Sequence, residues 1–224
     1  MQFAISDIHG CFKTFRSLLE DIVGFSKNDI LYLLGDYIDR GPDSKLTIKY
    51  IIKLINAGFK VRVLRGNHEE MLLNAYKNPK SCNIELWYNN GAEATLKSYG
   101  INNVKEISYE HISFLEKLPY YFELPDYLLV HAGFDFSNDK PFENKYAMLW
   151  ERNVNNNIKY TLGKTIVHGH TSITKEQLKT NIISNNEVIN IDTGCVFNTS
   201  PDFGYLTCLN LDNKEIFAKK NIEY

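Results

Sequence analysis

The sequence predicts an α/β protein of the α+β kind, a β-sandwich of two mixed sheets flanked by helices. Short apolar runs alternate with helical patterns over residues 1–64, which is the order of parallel strands joined by helical crossovers. Strand patterns return in the second half of the chain and are separated by polar turns rich in Asn and Asp. These later strands indicate a second sheet, because a mostly helical stretch separates them from the first group.

The first strands are short apolar runs at residues 3–6, 30–34 and 61–64. The run at 30–34 lacks alternation, as expected of a strand that is covered on both faces. A helical pattern between the first two strands stops at Gly24, and a second begins at Pro42 and closes near Gly58. We expect the carboxyl ends of these parallel strands to meet at one edge of the sheet, where such folds bind ligands.

The middle of the chain, from residue 68 to residue 118, is mostly helical in pattern, with segments that end at Gly100 and Pro119. The later strand patterns cover residues 127–130, 164–167, 188–191, 205–209 and 216–218. No internal repeat and no linker divides the chain. We therefore expect a single domain over residues 1–224.

Composition argues against two classes of partner. The formal charge of −2 and pI near 6.3 provide no general basic field, so we expect no nucleic-acid partner. The sequence has no run long enough to span a membrane and no signal-peptide pattern, so we expect no membrane partner. The scattered cysteines are typical of reduced, buried thiols in a cytoplasmic protein; they are Cys11, Cys82, Cys195 and Cys208.

Residues of the metal-ligand type follow five of the predicted strands. They are Asp7, His9, Asp36, Asn67, His131 and His170. Crowded carboxylates repel one another unless a cation binds them, and oxygen and imidazole donors without thiolate suit Mn²⁺, with Fe or Zn²⁺ as alternatives. Six side chains are too many for one ion. If Asp36 bridges two ions, a water between them would provide hydroxide at neutral pH, a nucleophile for phosphate esters.

The same residues stand in a block of motifs: DIHG, GDYIDRG, GNHE, His131 and the GH pair at 169–170. With this block the chain resembles the phosphoprotein phosphatase family of metallophosphoesterases, and within it the short bacterial, lambda-phosphatase-like branch. Stretches such as WYNNGAEATLKSYG, LWER and IDTG extend the resemblance almost from end to end. It implies a calcineurin-like metallophosphoesterase fold.

The resemblance also implies a role for each matching position. The first metal would be held by Asp7, His9 and Asp36, and the second by Asp36, Asn67, His131 and His170. His68, oriented by Asp39, would protonate the leaving group. The substrate phosphate would be bound by Arg40, Arg65 and Arg152.

The leading hypothesis is a metal-dependent phosphomonoesterase of the protein serine/threonine phosphatase type, acting on a phosphoprotein or a small phosphorylated substrate by in-line attack of the metal-activated hydroxide. The alternative is hydrolysis of dinucleoside polyphosphates such as diadenosine tetraphosphate. Asp39 and Glu69 favour the phosphatase hypothesis, because the corresponding motifs of symmetrical tetraphosphatases are closer to GDLVARGP and GNHD. Other bacterial relatives with phosphatase-type motifs do, however, cleave such nucleotides. A pseudoenzyme that only binds phosphorylated partners is the third hypothesis, and it is disfavoured because no ligand is missing.

Several other polar or aromatic residues have structural interpretations. We expect Glu69 to favour a helix N-terminus, and Asp192 to tie its strand end to the ligand-bearing loops. His111 is expected to be solvated on a surface helix, and Trp87 to pack in the helical flank. His168 is expected to be a core residue or a support for the ligands.

Overall fold

The computed structural model describes residues 1–79, 82–197 and 201–223. Its strands are β1 (Gln2–Ile5), β2 (Ile30–Leu33), β3 (Lys60–Val63), β4 (Tyr121–Glu123), β5 (Tyr127–Val130), β6 (Thr165–His168), β7 (Val188–Asn190), β8 (Tyr205–Asn210) and β9 (Ile216–Lys220). They form a five-stranded sheet of order β3-β2-β1-β8-β9 and a four-stranded sheet of order β4-β5-β6-β7. The strands β1–β3 are parallel, as are β5–β7, whereas β4, β8 and β9 pair antiparallel. Both sheets are therefore mixed, as predicted.

Helices cover the outer faces of the two sheets. They are α1 (Phe12–Ser17), α2 (Ser44–Asn56), α3 (Asn67–Lys77), α4 (Cys82–Tyr88), α5 (Ala92–Tyr99), α6 (Tyr109–Glu116), α7 (Lys145–Trp150), α8 (Ile158–Thr161) and α9 (Lys175–Ile183). A π-helical segment, Leu18–Val23, continues α1 and ends at Gly24, which adopts the left-handed conformation predicted for the stop. Within the described ranges, no helix combines the length and apolar character needed to cross a bilayer.

Alternation of side chains along the strands builds the sandwich. Ala4 and Tyr32 of the first sheet join Leu129 and Val167 of the second in one buried cluster between the sheets. Their neighbours along the chain point outward, into separate clusters under the helices, because successive residues of a strand face opposite sides. Both faces of each sheet are thus covered, which explains the uninterrupted apolar runs of β1, β2, β5 and β6.

Every strand that the sequence predicts is present, but some short elements were missed. β4 has only three residues and lies between Pro119 and Pro125, so it has no period to detect. α7 has six residues, and α9 buries only Leu178, so neither has a clear apolar stripe. Helix α9 forms the crossover between the parallel strands β6 and β7.

Two side chains differ in burial from the prediction. Cys82 is exposed, whereas the other three cysteines are buried as expected. The prediction of a solvated His111 is wrong, because this side chain is only 7% exposed and its Nδ1 lies 2.6 Å from the Tyr99 hydroxyl. His111 shares a helix face with the buried Leu115, four residues further on, and that face packs inward.

A buried tyrosine joins the carboxyl ends of β2 and β3. The Tyr37 hydroxyl accepts the Gly35 N–H at 2.8 Å and lies 2.7 Å from the Leu64 carbonyl oxygen and 3.0 Å from that of Leu33. Gly35 and Leu64 lie just past the ends of β2 and β3 and are buried, so their backbone groups need partners. The hydroxyl therefore fixes the chain at the point where it leaves the sheet.

The Glu69 carboxylate makes a second connection between the same two strand ends. It is fully buried, and it accepts the N–H groups of Gly66 and Asp36 at 2.9 Å and of Tyr37 at 2.8 Å. The bond to Gly66 also satisfies a free N–H at the start of α3. The predicted helix N-terminal position of Glu69 is confirmed, but the side chain also holds the loop after β2.

We expect Tyr37→Phe to lower the free energy of unfolding by about 1–3 kcal/mol, because the buried Gly35 N–H would lose its partner. The measurement is the urea midpoint at constant slope. Tyr109→Phe is the matched control, since Tyr109 is 77% exposed and its change should stay within about 0.5 kcal/mol. Equal stability of both variants would contradict the role given to the Tyr37 hydroxyl.

For Glu69→Gln we expect a loss of about 1–3 kcal/mol in urea unfolding, because an amide NH₂ would face backbone N–H donors in place of one oxygen. A favourable helix-dipole contact alone would account for at most about 1 kcal/mol. Glu110→Gln is the control, since Glu110 is exposed and also lies in the first turn of its helix, α6. If the two variants lose the same amount, Glu69 acts only on its own helix.

Candidate metal centre

Five of the six predicted ligands place donor atoms around the Asp36 carboxylate or include it, whereas Asp7 belongs to neither group of close ligand atoms and contacts the His170 N–H. Asp7 and His9 follow β1, Asp36 follows β2, and Asn67 opens α3 after β3. His131 follows β5 and His170 follows β6 on the second sheet, so both sheets contribute. The Asp36 Oδ1 atom accepts the His68 N–H at 3.1 Å, which places this carboxylate at the positive end of α3.

The two carboxylate oxygens of Asp36 face two different groups of ligand atoms. Oδ2 lies 3.6 Å from His9 Nε2 and 3.8 Å from His68 Nε2. Oδ1 lies 3.5 Å from His131 Nε2. The atoms of Asp36, His9 and His68 all lie within 4.8 Å of one another, and so do those of Asp36, His131 and His170. Asp36 therefore occupies the shared position that the bridging hypothesis requires.

Asn67 belongs to the second of these groups. Its Oδ1 atom lies 2.9 Å from His131 Nε2 and 3.2 Å from His170 Nδ1, and these two ring nitrogens are 3.2 Å apart. These three donor atoms therefore lie within 3.2 Å of one another. One oxygen and two nitrogen donors, together with Asp36, are a ligand set for one ion.

Asp7, in the loop after β1, contacts the loop that carries His170. Its two oxygens accept the His170 N–H at 3.2 and 3.1 Å, and its Oδ2 also accepts the Ser6 hydroxyl. A side chain at Gly169 would occupy the space of Ser6 Oγ and the Asp7 carboxylate, so only glycine allows this approach. The GH pair at 169–170 is thereby explained in steric terms.

The backbone around the cluster is strained. Among the described residues, nine that are not glycine have positive φ, and six of them are predicted site residues: Asp7, His9, Asp36, Asp39, Arg40 and His170. Such conformations cost of order 1–3 kcal/mol each and persist only where the surroundings impose them. Asp and His tolerate the left-handed region better than most residues. Here the strain turns side chains from separate loops towards one point.

Hydrogen bonds fix which nitrogen of each ring is available. The Nδ1–H of His9 donates to the Ile38 carbonyl oxygen at 2.9 Å, and that of His131 donates to the Leu34 carbonyl oxygen at 3.0 Å. Each bond leaves Nε2 as the lone-pair atom that faces Asp36. His170 differs from these two rings, because its Nδ1 faces Asn67 and His131, whereas its Nε2 is buried and has no hydrogen-bond partner among the described residues.

The charges of the cluster also suit bound cations. Burial lowers the pKa of His9 and His131 and lowers that of His170 to about 3, so these rings are neutral, the form that binds metals. The pKa of Asp7 is raised by burial, and further by Asp192 and Asp36. A divalent ion would relieve this crowding, and the residues present fit two such ions.

The predicted pair of His68 and Asp39 is formed. The His68 Nδ1 atom lies 2.8 Å from Asp39 Oδ2, and both side chains are buried. Two further donors hold the carboxylate: the Trp87 indole N–H lies 2.9 Å from Oδ2, and the Thr95 hydroxyl lies 2.6 Å from Oδ1. Side chains of helices α4 and α5 thus fix the Asp39 carboxylate, which in turn orients the His68 imidazole.

The three predicted arginines occupy different environments. Arg40 is exposed and places one guanidinium nitrogen 2.8 Å from His9 Nε2. Arg152 is also exposed and lies near enough to His170 for its charge to contribute to the lowered pKa of that ring, where burial is the main cause. The Arg65 guanidinium, by contrast, lies 2.7 Å from Glu70 and donates to the Leu115 and Glu116 carbonyl oxygens. Its role at a phosphate stays a prediction.

Sequence reasoning missed three supporting residues. Glu69 was interpreted only as a helix N-terminal acid, although its place in GNHE, three residues after Gly66, is the spacing of a capping box. Trp87 was predicted to pack, which is confirmed, but its bond to Asp39 was not predicted, and neither was that of Thr95. Asp192 makes the predicted tie, since it accepts the Ser172 hydroxyl at 2.7 Å in the loop after His170.

Three proteins illustrate what the chain is similar to. The symmetrical bis(5'-nucleosyl)-tetraphosphatase of Buchnera aphidicola subsp. Schizaphis graminum is 29% identical over 67% of this chain, and the chain spans only 50% of that relative. The asymmetrical bis(5'-nucleosyl)-tetraphosphatase of Bacillus velezensis is 28% identical, covering 86% of this chain and 84% of the relative. A protein serine/threonine phosphatase structure from Saccharomyces cerevisiae has a TM-score of 0.67 at 16% identity, covering 100% of this chain and 80% of that one, which shows a shared fold.

The sequence pattern of the calcineurin-like phosphoesterase family matches residues 3–199, which include every predicted ligand. The match supports the metallophosphoesterase part of the resemblance, whereas the two curated relatives carry tetraphosphatase names and not those of the phosphoprotein phosphatase branch. The matched region, the sandwich of two mixed sheets and the ligand cluster at the strand ends agree with one another. The chain belongs to the calcineurin-like phosphoesterase family.

Proposed function

We propose that this protein is a metal-dependent hydrolase of dinucleoside polyphosphates, in which water adds to one phosphorus and the bond from that phosphorus to the bridging oxygen breaks. The observation that carries the proposal is the pair of ligand groups that share the two oxygens of Asp36. Two-metal sites of this kind serve hydrolysis at phosphorus.

In this proposal Asp7, His9 and Asp36 hold one ion, and Asp36, Asn67, His131 and His170 hold the other. When bound, the ions would supply positive charge to the phosphate oxygens and lower the pKa of a bound water. The donors are oxygen and imidazole nitrogen, which suits Mn²⁺, Fe or Zn²⁺. The backbone carbonyls behind His9 and His131 hold the rings in place, so the ligands are oriented before any ion arrives.

Two arginines would bind the substrate phosphate. Arg40 lies beside the ligand group of His9, and Arg152 lies beside the ligand group of His170. Both are exposed, and apart from the Arg40 nitrogen beside His9 Nε2 their donors are open to a ligand. Guanidinium groups give phosphate paired, charge-assisted hydrogen bonds, which are among the strongest that side chains can make.

The substrate class is supported by the relatives. Both curated relatives reported above carry names that describe cleavage of bis(5'-nucleosyl) tetraphosphates. The second of them is covered along most of its length, so the similarity extends beyond the metal motifs. These names favour the alternative of the sequence analysis over the protein phosphatase hypothesis that its motifs suggested.

Hydrolysis of phosphomonoesters is the second candidate, and the pair of His68 and Asp39 favours it. A serine alkoxide is a poor leaving group that needs a proton, whereas a nucleotide phosphate leaves readily without one. Because His68 Nδ1–H donates to the Asp39 carboxylate, Nε2 is the atom that can deliver a proton to a leaving oxygen. Asp39 itself is held by Trp87 and Thr95, which suits a positioned acid.

A comparison of substrates tests the proposal. With Mn²⁺ present, we expect kcat/KM to be at least about tenfold higher on diadenosine tetraphosphate than on a phosphoserine peptide. Chelation should abolish both activities, because the ligand groups depend on cations, and Mn²⁺ should restore them. Faster hydrolysis of the peptide would favour the phosphomonoesterase candidate, and full activity in metal-free protein would contradict both.

The variant His68→Asn separates the two candidates further. We expect hydrolysis of the phosphoserine peptide to fall by roughly 10²–10⁴-fold, since that leaving group needs the acid, and the loss on diadenosine tetraphosphate to be much smaller. The measurement is kcat on both substrates, with metal content determined alongside. Loss of bound metal in this variant would identify His68 as a ligand, in agreement with its 3.8 Å distance to Asp36.

A further inference from the structure

A cavity of about 500 Å³ opens between helices α3, α4 and α7. Its wall is mostly apolar and includes Met71, Leu86, Leu149 and the rings of Tyr146 and Trp150. Leu86 is 46% exposed and Tyr146 is 74% exposed, although both line this cavity. Exposed apolar surface that lines a cavity is a candidate ligand-binding surface. We call this feature the aromatic cavity.

The aromatic cavity adjoins the metal centre on two sides. The Trp150 ring centroid lies 6.2 Å from that of His170, with the rings edge to face. Met71 stands on α3 one helical turn after Asn67 and His68, and Trp150 ends α7 two residues before Arg152. A molecule with its phosphate at the ligand groups could therefore extend directly into the cavity.

Its aromatic side chains suit a flat ring. Tyr146 and Trp150 stack on each other with an interplanar angle of 26° and centroids 6.4 Å apart. Nucleobases stack on such side chains irrespective of their identity, because every base presents a π-face. The amide of Asn74 also lines the cavity and could meet the polar edge of a base. An aliphatic side chain of a peptide would pack against the apolar wall, but it would neither stack on the Tyr146 and Trp150 rings nor form a hydrogen bond with the Asn74 amide.

Charges at the cavity also favour a phosphorylated ligand. Glu70 lines it, but its carboxylate is paired with Arg65 at 2.7 Å and so is neutralised. Lys145 lines the opposite wall, with its ammonium group over the Tyr120 ring at 5.0 Å. An anionic ligand would therefore meet a cation and no uncompensated acid among the residues that line the described cavity.

We propose that the aromatic cavity binds a nucleobase of the substrate, with Tyr146 and Trp150 as its stacking surface, while the phosphate next to that nucleoside lies at the metal centre. This inference rests on the proposed function and names the element that would recognise the nucleoside. It also gives Arg65 a role other than phosphate binding, since Arg65 would keep the Glu70 wall neutral.

Tyr146→Ala tests the proposal by kinetics. We expect KM for diadenosine tetraphosphate to rise by at least about tenfold, as expected for loss of a base-stacking ring, with kcat within about twofold. Inhibition by inorganic phosphate should not change, because phosphate does not reach the cavity. Tyr109→Ala is the matched control, since Tyr109 is 77% exposed, against 74% for Tyr146, and it should leave KM unaltered.

A binding measurement makes the test independent of turnover. The chain has two tryptophans, and Trp87 is fully buried, so quenching by a base would report on Trp150. We expect titration with AMP to quench the fluorescence of the wild-type protein and of Tyr109→Ala. In Tyr146→Ala the midpoint of the titration should move to at least about tenfold higher AMP. Inorganic phosphate alone should not quench.

The outcomes separate failure of this inference from failure of the proposed function. An unchanged KM and an unchanged AMP titration in Tyr146→Ala would overturn the nucleobase site even if diadenosine tetraphosphate is hydrolysed. If the wild-type protein does not hydrolyse that nucleotide, the proposed function fails, but quenching by AMP that Tyr146→Ala weakens would still support the site. A rise in KM confined to a phosphoserine peptide would show that the cavity binds peptide side chains and would overturn the inference.

Discussion

The site depends on one buried carboxylate, that of Glu69. It accepts three backbone N–H groups, from Gly66, Asp36 and Tyr37, and so joins the start of α3 to the loop after β2. Burial and the nearby charge of Asp36 raise the pKa of Glu69, while the three hydrogen bonds to its carboxylate oppose that rise. Because Asp36 touches both ligand groups, the position of its backbone decides whether one carboxylate can serve both.

Several predicted ligands have strained backbone conformations that the surrounding structure imposes. Asp7, His9, Asp36 and His170 all have left-handed backbone conformations, and they come from three loops on two sheets. No loop would adopt these conformations in isolation, since each costs free energy. Packing of the two sheets and the bonds from Glu69, Tyr37 and Asp192 offset that cost. The side chains of the predicted ligands are therefore held close together by the fold itself.

The three arginines that were predicted to bind the substrate phosphate lie in different environments. Arg40 and Arg152 are exposed at either ligand group, whereas Arg65 is occupied by Glu70 and backbone carbonyl oxygens. The arrangement of His68 and Asp39 suits a leaving group that needs a proton, and the aromatic cavity suits a nucleoside. Both features lie beside the same predicted ligands, so we expect differences among substrates to arise around the candidate metal centre and not within it.

The sequence by itself determined every strand except β4, the parallel direction of the first three strands, and which ligand-type residues follow the strands. These are local properties, because apolar period and turn residues act over a few positions. It did not determine the partners of Glu69, Trp87, Thr95 or Arg65, nor the burial of His111. Trp87 and Thr95 reach Asp39 from 48 and 56 residues away, and Arg65 bonds to carbonyl groups 50 and 51 residues on. Only the tertiary structure decided these contacts, because such pairs meet only once helices and sheets have packed, and nothing in their local sequence encodes that meeting.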